Sequence, residues 1–262
     1  MEIPVEVLDH IFGLLKSHPR SLLACSNAHP ILAQIVERHL YYHIVIIRST
    51  LYYHLDLDDR SGYKFDFSHM TRLLSDTPRI ADYVRILELS VEFYSNGFLE
   101  NIAPILSSFH AIQCFKLTFH TNVLEMPRRF KTALEDCLRL PTLQEVHIAN
   151  LPRFPISILN DMSNITRLSL SESLERSICS DGSFPQLKSL SLSRFDLDSL
   201  PFSFTWAKHM KLQSFAFDYS NEEIVERFLR ICSDTLENLD FGMGALCKLQ
   251  FRFGCLKSYP PR

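Results

Sequence analysis

Seven short segments of the chain fit one template, apolar–x–x–apolar–x–apolar, and no other feature limits the fold as strongly. They read VRILEL (84–89), IQCFKL (112–117), LQEVHI (143–148), ITRLSL (165–170), LKSLSL (187–192), LQSFAF (212–217) and LENLDF (236–241). Their first residues are separated by 28, 31, 22, 22, 25 and 24 positions. A unit of that length cannot enclose a core alone and must stack on its neighbours. Within each segment the alternation is that of a strand, where every second side chain faces the same way. Leu87 with Leu89, Leu168 with Leu170 and Leu190 with Leu192 are therefore expected to point inward. The expected fold class is α/β, a parallel sheet with return helices. Phe98, Leu99, Ile102, Ile105, Leu106 and Phe109 make one helical face, and Phe130, Ala133, Leu134, Cys137 and Leu138 another. A third helix is expected over Ile224–Cys232 behind Asn221 as N-cap, and LCKLQF (246–251) repeats the strand template once more.

Composition narrows what such a chain does. Its 262 residues suffice for one large domain or two smaller ones, and 46 % hydrophobic with 22 % charged residues is the balance of a folded chain. Seven glycines leave little room for a Gly-rich phosphate loop, and neither GxSxG nor HExxH occurs. Cys114 has His110 and His120 nearby, but its place on a strand gives it no identifiable orienting partner. No enzyme activity and no cofactor are expected. A net charge of −3 argues against a nucleic-acid partner, and the cluster Arg128, Arg129 and Lys131 reads as a solvated helix end. No run approaches the roughly 20 apolar residues of a membrane span, and the first residues lack a basic leader region. Seven scattered cysteines without a CxxC pair suit a reducing compartment, cytoplasmic or nuclear.

The first 45 residues follow a different pattern. Leu8, Ile11, Phe12 and Leu15 fall at helical spacing on one face, and Pro19 interrupts them. A second helix is expected over Arg20–Ala28 with Leu22 and Leu23 inward, and a third from Pro30 whose apolar face is Ile31, Ile35 and, off by one, Leu40. Cys25, His29, His39 and His43 have a metal-like spacing. Eleven histidines make such spacings common by chance, and Pro30 separates the pairs, so no metal is expected there.

In order and spacing, these pieces resemble an F-box. Ile3-Pro4-Val5-Glu6 matches the opening of the family pattern, Val7-Leu8 and Ile11-Phe12 the first helix, and Leu22-Leu23-Ala24-Cys25-Ser26 the second. Asn27-Ala28-His29-Pro30-Ile31 stands where the family has a Val-Cys-Arg/Lys-x-Trp element. Residues 68–89 look like the linker of fungal F-box proteins, and the strand segments resemble irregular leucine-rich repeats. The family's Asn or Cys three residues past the last strand apolar residue is absent. The resemblance implies a three-helix F-box over 1–45, a linker with a first capping strand or helix over 46–83, and a leucine-rich-repeat solenoid over 84–262. It further implies a substrate-recognition adaptor of a Skp–cullin–F-box ubiquitin ligase, a monomer within a larger complex. Ile3, Pro4, Val7, Leu8, Ile11, Phe12, Leu15, Leu22 and Leu23 would then meet the Skp-type subunit, and cullin through it. The outward strand positions would hold a target protein, with Glu145, His147, Arg167, Ser169, Lys188, Ser191 and Arg194 the candidates. A second reading keeps the repeats as an interaction scaffold without a ligase role.

Overall fold

A computed structural model describes residues 3–48, 63–91, 96–120, 126–151, 162, 164–171, 186–193, 212–217, 230, 232 and 234–241. The chain divides into two compact units, Met1–Asn150 and Leu151–Arg262.

The first unit begins with helices α1 (Val5–Leu14), α2 (Pro19–Ala28) and α3 (Pro30–Leu40). Pro19 does more than end α1. It is the first residue of α2, where its missing N–H leaves no partner unsatisfied. His29 is extended, and its ring Nδ1 accepts the Ile31 N–H at 3.1 Å, so His29 and Pro30 together start α3. Phe12, Leu22, Ile35, Val36 and Leu40 form the buried cluster of the three helices, with Leu8, Leu15, Cys25 and Leu32 packed against it. Asp9 on α1 receives both Arg38 and His39 of α3 at 2.5 Å.

Next come strand β1 (His43–Arg48), β2 (Tyr63–Asp66), helix α4 (Phe67–Asp76), a 3-10 turn (Pro78–Asp82), β3 (Ile86–Val91), α5 (Asn96–Ser108), β4 (Cys114–Phe119), α6 (Arg128–Leu138) and β5 (Glu145–Ala149). The strands are parallel in the order β2-β1-β3-β4-β5. The second unit contains β6 (Arg167–Ser171), β7 (Ser189–Ser193), β8 (Ser214–Phe217) and β9 (Asn238–Phe241), adjacent in that order and parallel. The protein is therefore mixed α/β, with parallel strands and helical crossovers as expected.

All seven template segments form strands, each starting at the third template position. The first position is buried every time, at Val84, Ile112, Leu143, Ile165, Leu187, Leu212 and Leu236. So are the inward pairs of the first five segments, among them Leu87 with Leu89, Phe115 with Leu117, and Leu190 with Leu192. The second position repeats as well, through the backbone. Gln113 N–H donates to Arg85 C=O at 2.7 Å, and Gln144 N–H to Gln113 C=O at 2.9 Å. In the second unit Lys188 N–H donates to Thr166 C=O, Gln213 to Lys188, and Glu237 to Gln213. Within each unit, these segments thus enter their strands already tied to the preceding one.

The ladder also reveals an eighth segment. Arg85 N–H donates to Tyr42 C=O at 3.0 Å, which makes YYHIVI (41–46) the same template with Tyr41 first. The strand β1 that it forms starts inside the segment read from sequence as purely helical, and it pairs with β3 along its whole length. All five expected face residues of α6 are buried, and burial pushes the Cys137 thiol up to about 12. Helix α5 continues through Pro104. Of the expected 224–232 helix, Arg230 and Cys232 are helical and Cys232 is buried. Asn221, the other residues of that helix and the 246–251 segment lie outside the described residues.

Candidate functional site

Helix α1 carries two apolar stripes. Leu8, Phe12 and Leu15 turn toward α3 and the cluster. Val7, Ile11 and Leu14, also at i, i+4, i+7, face away and are 46 %, 42 % and 70 % exposed. Ile3, Val5, Leu23 and Ile31 are exposed too. Among the described residues, every exposed large hydrophobic side chain lies between positions 3 and 31. The candidates for partner contact therefore separate. Ile3, Pro4, Val7, Ile11 and Leu23 are at the surface; Leu8 and Leu15 are shared with the helical core. Phe12 and Leu22, at 4 % and 0 % exposed, lie in the cluster that holds the three helices together. Ile11, expected on one face with Leu8, Phe12 and Leu15, is exposed with Val7 and Leu14 instead. Leu23, expected inward, is also outside, as is Ile31 on α3. The helical spacing that revealed the inner stripe also marks the outer one.

The outward positions of the strands form the second candidate surface. In the first unit, register aligns Ile86, Cys114 and Glu145 across β3, β4 and β5, then Glu88, Lys116 and His147. Glu88 lies 3.8 Å from both His43 Nε2 and Lys116 Nζ. The His43 ring beside it, with Lys116, holds the Glu88 carboxyl below its usual range against the opposing effect of burial. His147 Nε2 and Glu145 Oε1 are 2.7 Å apart. Cys114 joins them: its Sγ, a Glu145 oxygen and a His147 ring nitrogen all lie within 4.8 Å of one another. The two groups gathered with Cys114 thus come from the next strand and not from His110 or His120. His120, by contrast, is 3.0 Å from Ser90 Oγ.

In the second unit Ser169 and Ser191 are register partners, as are Arg167 and Ser189. Ser169 and Ser191 are half-buried; Arg167 and Lys188 are exposed. Lys188 sits just ahead of β7. Arg194 lies outside the described residues. Cys25, His29, His39 and His43 do not assemble as metal donors; His29 caps α3 and His39 meets Asp9.

Two features escaped the sequence pattern. The Cys114–Glu145–His147 group follows from laying template segments side by side, since Cys114 and Glu145 both occupy the third position. Asn150 sits at φ 56°, and its Nδ2 donates to the Phe119 carbonyl of β4 at 2.7 Å. It takes up an inter-strand carbonyl one residue earlier than the repeat pattern places an Asn.

Among the described residues, no helix is long and apolar enough to cross a membrane. Compared with protein-family models and with curated proteins, the chain matches none.

Proposed function

We propose that the chain is a substrate-recognition adaptor of a Skp–cullin–F-box ubiquitin ligase, with an F-box-like helical unit ahead of irregular leucine-rich repeats. The outer stripe of α1 carries the reading. A short helix that is apolar on both sides needs a second surface to cover it, and helices laid in an apolar groove are a recurrent means. The resemblance of residues 3–26 to the F-box pattern names that surface as an Skp-type subunit. The outward strand face would hold a target protein close to the ligase. Holding a target there raises its effective concentration at the reactive thioester, with no chemistry by this chain.

The test is co-purification of the full chain with a recombinant Skp-type subunit. Ile11→Asp places a charge in the outer stripe at an exposed position and is expected to abolish capture while the circular dichroism spectrum stays unchanged. Undiminished capture by that variant overturns the docking assignment. Ile11 is the better probe than Leu8, because Leu8 also packs on the helical core.

A further inference from the structure

We infer that Cys114, Glu145 and His147 form a binding site for a borderline-soft divalent metal of the zinc class. Cys114 and Glu145 are register partners on β4 and β5, and His147 is two residues beyond Glu145 on the same face. Their donor atoms lie within 4.8 Å of one another. Two donors on one tetrahedral zinc stand about 3.3–3.8 Å apart, given metal bonds of about 2.0–2.3 Å, so small rotamer changes complete the set. The scaffold is rigid where it matters. Cys114 N–H donates to Arg85 C=O at 2.9 Å and Glu145 N–H to Gln113 C=O at 3.0 Å, which fixes both backbones at the site.

The chemistry of the set is selective. A thiolate and an imidazole disfavour magnesium and calcium, which take oxygen ligands, and suit zinc or its neighbours. Cys114 is buried, whereas Glu145 and His147 are half-exposed, so the soft donor forms the floor and the other two the open side. On binding, the thiol gives up its proton to solvent. The hydrogen bond between His147 and Glu145 is replaced by two metal bonds. Three protein donors leave a fourth position for water or for a donor from a bound partner. The site lies on the strand face, away from the α1 stripe in sequence, and stands whether or not the chain docks an Skp-type subunit.

Cobalt titration of the full, reduced chain tests this directly, because a thiolate ligand gives Co2+ a charge-transfer band in the near ultraviolet. The wild-type chain is expected to take up about one equivalent with that band, and Zn2+ to displace it. Cys114→Ser should remove the band, and His147→Asn should weaken binding by at least about 100-fold. Cys25→Ser should change neither. The half-exposed His147 keeps the test open should Cys114→Ser unfold. No thiolate–cobalt band in the wild-type chain, or a band and affinity that survive both site variants, overturns the assignment.

Discussion

Helix α1 and strand β4 are both rich in apolar residues, yet they treat them differently. In β4, Phe115, Leu117 and Phe119 are all fully buried, and the neighbouring strands supply the matching residues in register. In α1, Phe12 is buried while Val7, Ile11 and Leu14 are left outside. The strands of the first unit are self-sufficient here, because each one's apolar residues are covered by its neighbours. The helical unit comes to an end after three helices and leaves an apolar side without a further layer. Self-burial shows up as stability, whereas an uncovered stripe shows up only when a partner is added.

That contrast is open to a direct break. Phe115→Ala is expected to cost about 3–5 kcal/mol in denaturant unfolding, from lost transfer energy plus the cavity left behind. Phe12→Ala should have a similar cost. Ile11→Ala should stay within about 0.5 kcal/mol of wild type, as exposed substitutions do. If Ile11→Ala matches Phe12→Ala, the outer stripe is part of the protein's own core and the contrast fails.

The repeats were legible because alternation and spacing survive in seven copies. The eighth escaped for physical reasons. Val45 and Ile47 are apolar at positions that are polar in most other strands, so β1 reads as a continuous run, and Tyr41 replaces an aliphatic first residue. A strand buried on both faces loses the alternation that identifies it. The partner surface was half legible. Spacing reveals which residues of α1 are apolar, but α3 decides which stripe is turned inward, and that choice moved Phe12 and Ile11 to opposite sides of the assignment. The Cys114 group was hidden for another reason: its members are 31 and 33 residues apart and meet only through strand register.

Asn150 tests the repeats at finer scale. A left-handed backbone costs an ordinary L-residue about 1–2 kcal/mol, and the Phe119 carbonyl contributes a further hydrogen bond of about 0.5–1.5 kcal/mol. Asn150→Ala should therefore destabilise by about 1.5–3.5 kcal/mol. Asn150→Gly, which accepts the positive φ, should lose only the hydrogen bond. Equal losses in the two variants would show that the conformation at Asn150 contributes nothing.

A smaller loss, one that depends on pH, is expected at the start of α4, between the two compared regions in sequence. Asp66 caps that helix: Ser68 Oγ donates to its carboxylate at 2.6 Å and the His69 N–H at 2.9 Å. The Ser68 hydrogen bond first, then the His69 N–H, bring its pKa from 3.8 down to about 2. A carboxyl with a depressed pKa in the folded state stabilises fully above its unfolded value and loses that contribution as pH falls through the folded one. Asp66→Ala should cost about 1 kcal/mol at neutral pH. The gap between wild type and variant should hold down to about pH 4 and close toward about pH 2. Asp66→Asn keeps a side-chain acceptor for the His69 N–H and should recover most of the loss at neutral pH, with a gap that no longer closes in acid. A wild-type advantage that persists unchanged at pH 2 would mean that Asp66 acts through packing and not as a charged cap.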